Sequence, residues 1–403
     1  MKHPSTFLSM EDAAQLVRSH LHQLPSETVS LDSALGRSLV QSVRARTDQP
    51  RFRKAAVDGY ALAESTGSGP YRVTATIAAG DEVDPRRRAS LGRGEALRIM
   101  TGAVVPPDIQ RVVRFEYTEE IPAAANTFRI LRGERNTNIA EQGENIRSGA
   151  TLLTPRILSA IDIGILASQG VWTVFVARLP AVAVISTGTE LVHPSEPYLA
   201  DYAIYESNGM QLSALAAGAG AQVHNYGIAA DRQEGVTKLL GDAAANHNLV
   251  VCSGGVSMGD KDFVPTALEA LGAEIHFHGL AMKPGRPTLF ATLNDTLVFG
   301  LPGNPVSTVV QFEMFIAPTI AALQGAEYLP REAHLPLIGD FQRSSVDRAE
   351  FLPGVIRDGA VEPVPYMGSG HLSALATAEV VFRVDRGVAT VNQGEAVYVR
   401  YLR

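Results

Sequence analysis

Residues 249–272 read L-V-V-C-S-G-G-V-S-M-G-D-K-D-F-V-P-T-A-L-E-A-L-G. A short apolar run, L-V-V-C at 249–252, ends abruptly in glycine and serine. That predicts a strand buried on both faces, because a half-exposed strand would alternate. Apolar residues at helical spacing follow, which predicts a helix over 261–271. The same unit recurs on both sides. Strands are expected at 181–186 (A-V-A-V-I-S), 222–226 (Q-V-H-N-Y), 275–278 (I-H-F-H) and 297–300 (L-V-F-G), and helices at 208–217, 232–246 and 306–323. Continuous apolar strands alternating with helices imply a parallel sheet covered on both faces.

The flanks differ. Residues 10–24 repeat apolar positions at helical spacing behind Ser9, a candidate N-cap, and 155–169 read as another helix. Short β-rich runs at 71–77, 97–99 and 111–115 are separated by Gly, Pro and charges. They predict a small β domain inserted between helical segments. After Pro330 the chain returns to β-like runs and ends in E-A-V-Y-V-R-Y-L-R at 395–403. The fold class is therefore α/β plus β and multidomain. The expected parts are a helical linking domain (1–45 with 141–178), a β-rich insert (46–140), an α/β domain (179–328) and a C-terminal all-β domain (329–403).

Composition narrows the function. The chain has 403 residues, a net charge of −7 and a pI near 5.8. It lacks the basic face that nucleic-acid binding needs, so an anionic ligand requires a local basic pocket. A single cysteine, Cys252, excludes an intramolecular disulfide framework and fits a reducing cytoplasm. No apolar run reaches the ~18 residues of a membrane span, and the N-terminus has no secretory pattern. The histidines show no zinc spacing. Cys252 reads as a core residue, and Arg86, Arg87 and Arg88 as a solvated loop.

Ligands of open α/β sheets bind beyond the carboxyl ends of the strands. Three such ends carry unusual loops. In G-L-P-G-N-P-V-S (300–307), Asn304 is placed to cap a helix, Pro305 suits its first turn, and Gly303 permits close backbone approach after Pro302. The amides of Val306 and Ser307 then offer an anion site. In the opening stretch, Gly254 and Gly255 permit close approach, and Ser253 and Ser257 supply hydroxyls. Asp260 and Asp262 stand near the next helix, either as its cap or as ligands of a bridging Mg²⁺. In I-S-T-G-T-E-L (185–191), Glu190 is a third carboxylate for the same crevice. Lys283 and Arg286, in A-M-K-P-G-R-P at 281–287, bring a point charge and a bidentate fork suited to phosphate or another oxyanion.

Together these loops resemble the MoeA family, the molybdopterin molybdenumtransferases. Six blocks carry the resemblance in order: V-D-G-Y-A-L (57–62), R-I-M-T-G-A-V-V-P (98–106), S-T-G-T-E-L (186–191), S-G-G-V-S-M-G-D-K-D (253–262), M-K-P-G-R-P (282–287) and G-L-P-G-N-P-V-S (300–307). The resemblance implies a Mog-like α/β sandwich domain and a C-terminal β-barrel-like domain. It implies a homodimer with an inter-subunit active site. It further implies insertion of molybdate into adenylylated molybdopterin with Mg²⁺, releasing AMP and molybdenum cofactor. Catalytic roles fall on Asp58, Thr101, Glu190, Asp231, Asp262 and Lys283, with Glu190 and Asp262 as metal ligands. Ser253, Gly254, Gly255, Ser257, Lys283, Arg286, Pro302, Gly303, Asn304, Ser307 and Ser369 bind the pterin substrate. Partners implied are the molybdopterin adenylyltransferase and apo-molybdoenzymes or their chaperones, with no nucleic acid and no membrane.

The chain departs from the family pattern at Ala55, Ala140, Asn145 and Thr189, where a serine, an arginine and two acids are usual. Arg147 stands nearby, but it would recover that guanidinium only in a shifted register, and it is not counted as a site residue. The changes at Ala140, Asn145 and Thr189 keep open a pterin-binding carrier or sensor without turnover, and the shared α/β domain keeps open the adenylyltransferase.

Overall fold

The computed structural model describes residues 7–64, 67–229, 232–257, 259 and 262–402. The chain forms two compact units: residues 1–40, 155–159 and 174–403, and residues 41–154 with 160–173.

In the first unit a six-stranded sheet runs β2-β1-β3-β6-β5-β4. Its strands are β1 (Ala181–Thr187), β2 (Gln222–Ala229), β3 (Leu249–Ser253), β4 (Glu274–His278), β5 (Leu289–Leu293) and β6 (Thr296–Leu301). β2, β1, β3 and β6 are mutually parallel, as the apolar runs predict. β5, which the sequence reading passed over, runs antiparallel to β6 and to β4. The sheet is thus mixed at that edge.

The helices are α1 (Met10–Ser19), α2 (Asn208–Gly218), α3 (Gln233–Asn246), α4 (Phe263–Ala270) and α5 (Pro305–Leu323), the last with a π-turn at Phe312–Ile316. Alternate residues of β1 feed two cores. Val182 and Val184 join α1, α2 and α5 on one face, through Ala13, Leu212 and Phe315. Ala183 and Ile185 join α3 and α4 on the other, through Leu240 and Leu268. Cys252 lies in the second core, and burial pushes its thiol up to about 12. Among the described residues α5 is the one helix long and apolar enough to cross a membrane. However, 83% of its apolar window is buried in the protein.

Ser9 caps α1 as expected, accepting the Asp12 amide at 3.0 Å. The helix expected from 155 begins only at Ala160. Arg156–Ile157 pair instead with Ser38–Leu39, which removes them from any helix.

The C-terminal strands Glu332–Pro336, Ala349–Arg357, Ala360–Pro363, Val380–Val384 and Ala396–Tyr401 form a second sheet in this unit. Met282–Lys283 adds to its edge, parallel to Ala349–Glu350. That register sets Lys283 beside Glu350.

The second unit holds another six-stranded sheet, with Arg111–Arg114, Gly59–Leu62, Glu95–Ile99, Tyr71–Ile77, Thr127–Ile130 and Thr118–Glu120 in spatial order. Tyr60 stacks on Phe128 on one face, while Ala61 packs with Ile99 and Val112 on the other.

Candidate active site

A cleft of about 300 Å³ opens where β1, β3 and β6 end. Its walls include Thr187–Leu191, Asn208, Ser253–Gly255, Asp262 and Gly303. Two glycines are required here. Gly254 has φ +87°, and a Cβ on it would lie 2.3 Å from the Thr187 carbonyl oxygen. Gly255 has φ +63°, and its Cβ would meet Thr187 Oγ1 at 2.5 Å. Any side chain would close the gap between the two loops.

The loops are tied together from below. The Gly254 amide donates to Leu301 O at 3.0 Å. Asn208 Nδ2 donates to Ser253 Oγ (2.8 Å) and to Gly303 O (2.7 Å). Ser253 is therefore buried, with its hydroxyl engaged by Asn208. Two buried polar atoms of cleft residues, Thr187 Oγ1 and Asn208 Oδ1, have no hydrogen-bond partner. Orphaned polar atoms of this kind call for an explanation.

Asp262 occupies the N-cap position of α4, but its carboxylate makes no cap bond. It turns back to accept the Gly259 amide at 2.7 Å. The helix-cap reading of this residue is thereby removed. Glu190 folds over Gly188, where a Cβ would meet its carboxylate oxygens at 2.8 and 2.9 Å. Asp231 and Asp260 lie outside the described residues.

The structure adds residues that the sequence reading missed, Thr187 and Asn208 in the wall of this cleft and Glu206 behind it. Glu206 is buried behind the cleft, accepting from Ser186 Oγ at 2.9 Å and from the Gly209 amide. Its only sequence signal was an acid two places before a helix, which also describes many surface turns.

A second cleft, of about 710 Å³, begins on the same 302–304 loop. Pro302 and Asn304 line it, together with Ser307, Ser369, Lys283, Arg286, Arg343 and Arg348. Asn304 sits at the N-cap of α5 but makes no side-chain cap bond. The Val306 amide, expected to be free, donates to Ser369 O at 3.1 Å. The turn at 368–371 (G-S-G-H) thus sits on the helix end and brings Ser369 into the cleft.

The cations here differ in how far they are neutralised. Lys283 Nζ is 2.7 Å from Glu350 Oε1, and the Glu350 side chain is only 7% exposed. Arg343 lies 3.5 Å from Glu350 Oε2 and is held by the carbonyls of Val388, Arg348 and Asp385. Arg348 faces Asp347 at 3.5 Å. Tyr366 is pushed up to about 12 by burial and by the Glu350 charge, so its hydroxyl stays protonated. The Arg286 guanidinium has no acidic or hydrogen-bonding partner among the described residues.

Asp58 and Thr101 meet in the second unit. The Thr101 amide (2.6 Å) and hydroxyl (2.7 Å) both donate to Asp58 Oδ1. These bonds, the amide first, hold the carboxyl below the usual carboxylate range. In the same unit Ala140 pairs with Lys54, and the Asn145 amide donates to Gln49 O. Arg147 lies by Gly143 and Asp48, whose carboxyl is held down first by the Ser148 amide, then by Gln142, and only last by the Arg147 charge.

The sheet, its Gly-rich strand ends and the clefts beside them define an α/β protein with extra β sheets and open crevices at the carboxyl ends of its strands. Residues 8–170 match the description "MoeA N-terminal region (domain I and II)", 183–322 "Probable molybdopterin binding domain" and 341–402 "MoeA C-terminal region (domain IV)". A molybdopterin molybdenumtransferase of Staphylococcus aureus is 33% identical over 97% of this chain and 94% of its own. One from Staphylococcus epidermidis is 32% identical over 98% and 95%. A molybdopterin biosynthesis MoeA protein structure from Pyrococcus horikoshii superposes with a TM-score of 0.83 at 29% identity, covering 99% of this chain and all of the other. The chain belongs to the MoeA family of molybdopterin molybdenumtransferases, transferases that insert molybdenum in molybdenum cofactor biosynthesis.

Proposed function

We propose that this transferase acts on adenylylated molybdopterin and molybdate with Mg²⁺, releasing AMP and molybdenum cofactor. One observation carries the reading: two clefts of opposite character share the 302–304 loop. The acidic one, with Glu190 and Asp262, suits a pyrophosphate approached through a cation. The basic one, with Lys283, Arg286 and Arg348, suits a small oxyanion.

Mg²⁺ fits the donor set. Two carboxylates, Glu190 and Asp262, line the acidic cleft. Mg²⁺ prefers that situation, since it keeps waters and phosphate oxygens in its shell. Glu190 and Asp262 would hold it, and it would neutralise the pyrophosphate.

The chain's own groups do the rest. Gly255 brings the backbone close to the substrate, and Ser257 offers a hydroxyl. Asn208 keeps the two loops in register. Lys283, Arg286, Asn304, Ser307 and Ser369 bind and orient the anions, which is most of what an oxygen exchange on a metal oxyanion needs. Asp58 and Thr101 are proposed as substrate-facing residues of the second unit.

The four-part domain division given above belongs to this proposal, supported by the matched regions 8–170, 183–322 and 341–402. So does a homodimer. Tyr198, Tyr202, Ile204 and Met210 are exposed, and Ile204 also lines the acidic cleft. A reducing cytoplasm suits the single buried Cys252.

The test is direct. Purified protein is incubated with adenylylated molybdopterin, Mg²⁺ and molybdate, and AMP and cofactor are measured. Substrate binding without AMP release would favour the carrier alternative. AMP release that never yields molybdenum cofactor would refute insertion.

A further inference from the structure

We propose that Phe7 is a positioning residue for Arg286, holding that guanidinium toward the basic cleft. The inference rests on the reading of that cleft as the oxyanion site.

The Arg286 guanidinium is the cation of the cleft without an acidic or hydrogen-bonding partner among the described residues. Lys283 is held by Glu350, Arg343 by three carbonyls and Glu350, and Arg348 faces Asp347. An unpaired guanidinium on a long stem would sample many rotamers, and an incoming anion would have to order it. Here an aromatic ring does part of that ordering. Arg286 Cζ lies 4.6 Å from the centroid of Phe7, within cation–π range.

The ring is itself fixed. Leu8 bridges to Leu280 in parallel, and the Ala281 amide donates to Leu8 O at 2.8 Å. The Phe7 ring lies against Gly279, where a Cβ would meet ring carbons at 2.6 Å. The far side of the loop is closed as well: the Leu280 amide donates to Arg286 O and the Gly279 amide to Thr288 O, both at 2.8 Å. The segment Phe7–Leu8 thus straps the Gly279–Thr288 loop and gives Arg286 a ring to lie on. A cation–π contact leaves every N–H of the fork free for an oxyanion, which a carboxylate partner would not.

The experiment is molybdate binding to the full chain, by equilibrium dialysis with metal analysis. The variants are F7A, F7L, F7W, R286A and F7A/R286A, each checked for a normal unfolding transition. R286A is expected to weaken binding by about 10-fold or more, as loss of a charge-assisted contact does. F7A and F7L should each weaken it by about 2- to 5-fold, the worth of an exposed cation–π contact. F7W should retain affinity because it keeps a ring. The double variant should bind like R286A alone. A merely structural role for Phe7 would give the opposite pattern, with F7L as good as wild type and F7A adding its full loss to R286A. Either result overturns the proposal while leaving the oxyanion site standing. Unchanged molybdate affinity in R286A would instead refute the oxyanion reading of the cleft, and this inference with it.

Discussion

Asp262 shows how one side chain separates chemistry from scaffolding. By position it is an N-cap, yet its carboxylate closes the turn at Gly259 and leaves α4 uncapped. Asp262→Ala therefore removes one exposed backbone contact, worth about 0.5–1.5 kcal/mol. The acidic cleft, however, loses half its carboxylate pair. We expect near-normal folding and molybdopterin binding, with AMP release reduced about 100-fold or more, as when one electrostatic element of a preorganised site is lost. Thermal unfolding and AMP release on the same variant decide it; wild-type turnover would remove Asp262 from the chemistry. Lys283 is a different case, because it also serves buried Glu350. Lys283→Ala should weaken anion binding roughly 10- to 150-fold. It should also destabilise the fold by about 1–2 kcal/mol, since Glu350 keeps only the longer contact to Arg343. Adding Glu350→Gln should restore the melting temperature but not the affinity. If the double variant recovers neither, the pair has no independent structural role. The lysine was legible from its Pro-Gly turn; its partner, 67 positions away, was not, because only the strand register brings them together.

At the level of elements, the sequence spoke most clearly where local physics is strict. The parallel strands follow from continuous apolar runs, and the two ligand loops from glycines and a proline that few other conformations accept. β5 was lost for an equally physical reason. L-F-A-T-L is short and follows a Pro-rich loop, so periodicity could not separate it from a connection. The signal it did carry was Asn294–Asp295 between two apolar runs, a hairpin turn with Asn294 at φ +53°. The same edge carries a pH response. His276 of β4 lies 3.9 Å, centroid to centroid, from His20, which follows α1. Burial first, then the neighbouring His20, hold the His276 imidazole below its usual range, against a weaker opposite pull from Glu274. The folded state thus binds fewer protons than the unfolded chain as pH falls below the ordinary histidine value. Stability tied to this group is present at neutral pH and is lost on acidification through about pH 6.5 and below. Denaturant unfolding at pH 7.5 and 5.5 should show the loss, and His276→Gln should flatten part of it. An equal pH slope in the variant would assign the response to other groups.

For the whole molecule the open question is what covers the acidic cleft. Ile204 lines it and is 56% exposed, and its neighbours in sequence are more exposed still, Tyr198 at 79% and Tyr202 at 85%, with Met210 at 54%. The same chain has compact cores elsewhere, with Phe128, Phe299 and Phe315 almost wholly buried, so this is not a loosely packed protein. Clustered exposed apolar side chains mark interaction surfaces, and we propose a second copy of this chain as the partner that covers them. We expect a dimer at micromolar concentration by light scattering, with an interface above the roughly 1,200 Å² that stable association needs. Replacing Tyr202 and Ile204 by aspartate should give a folded monomer, because both side chains are already solvent-facing in the single chain and cost it little. If a second subunit completes the site, that monomer should still bind molybdate in the basic cleft and yet lose most of its AMP release. A wild-type monomer at micromolar concentration, or a monomeric variant with undiminished turnover, would show that one chain suffices.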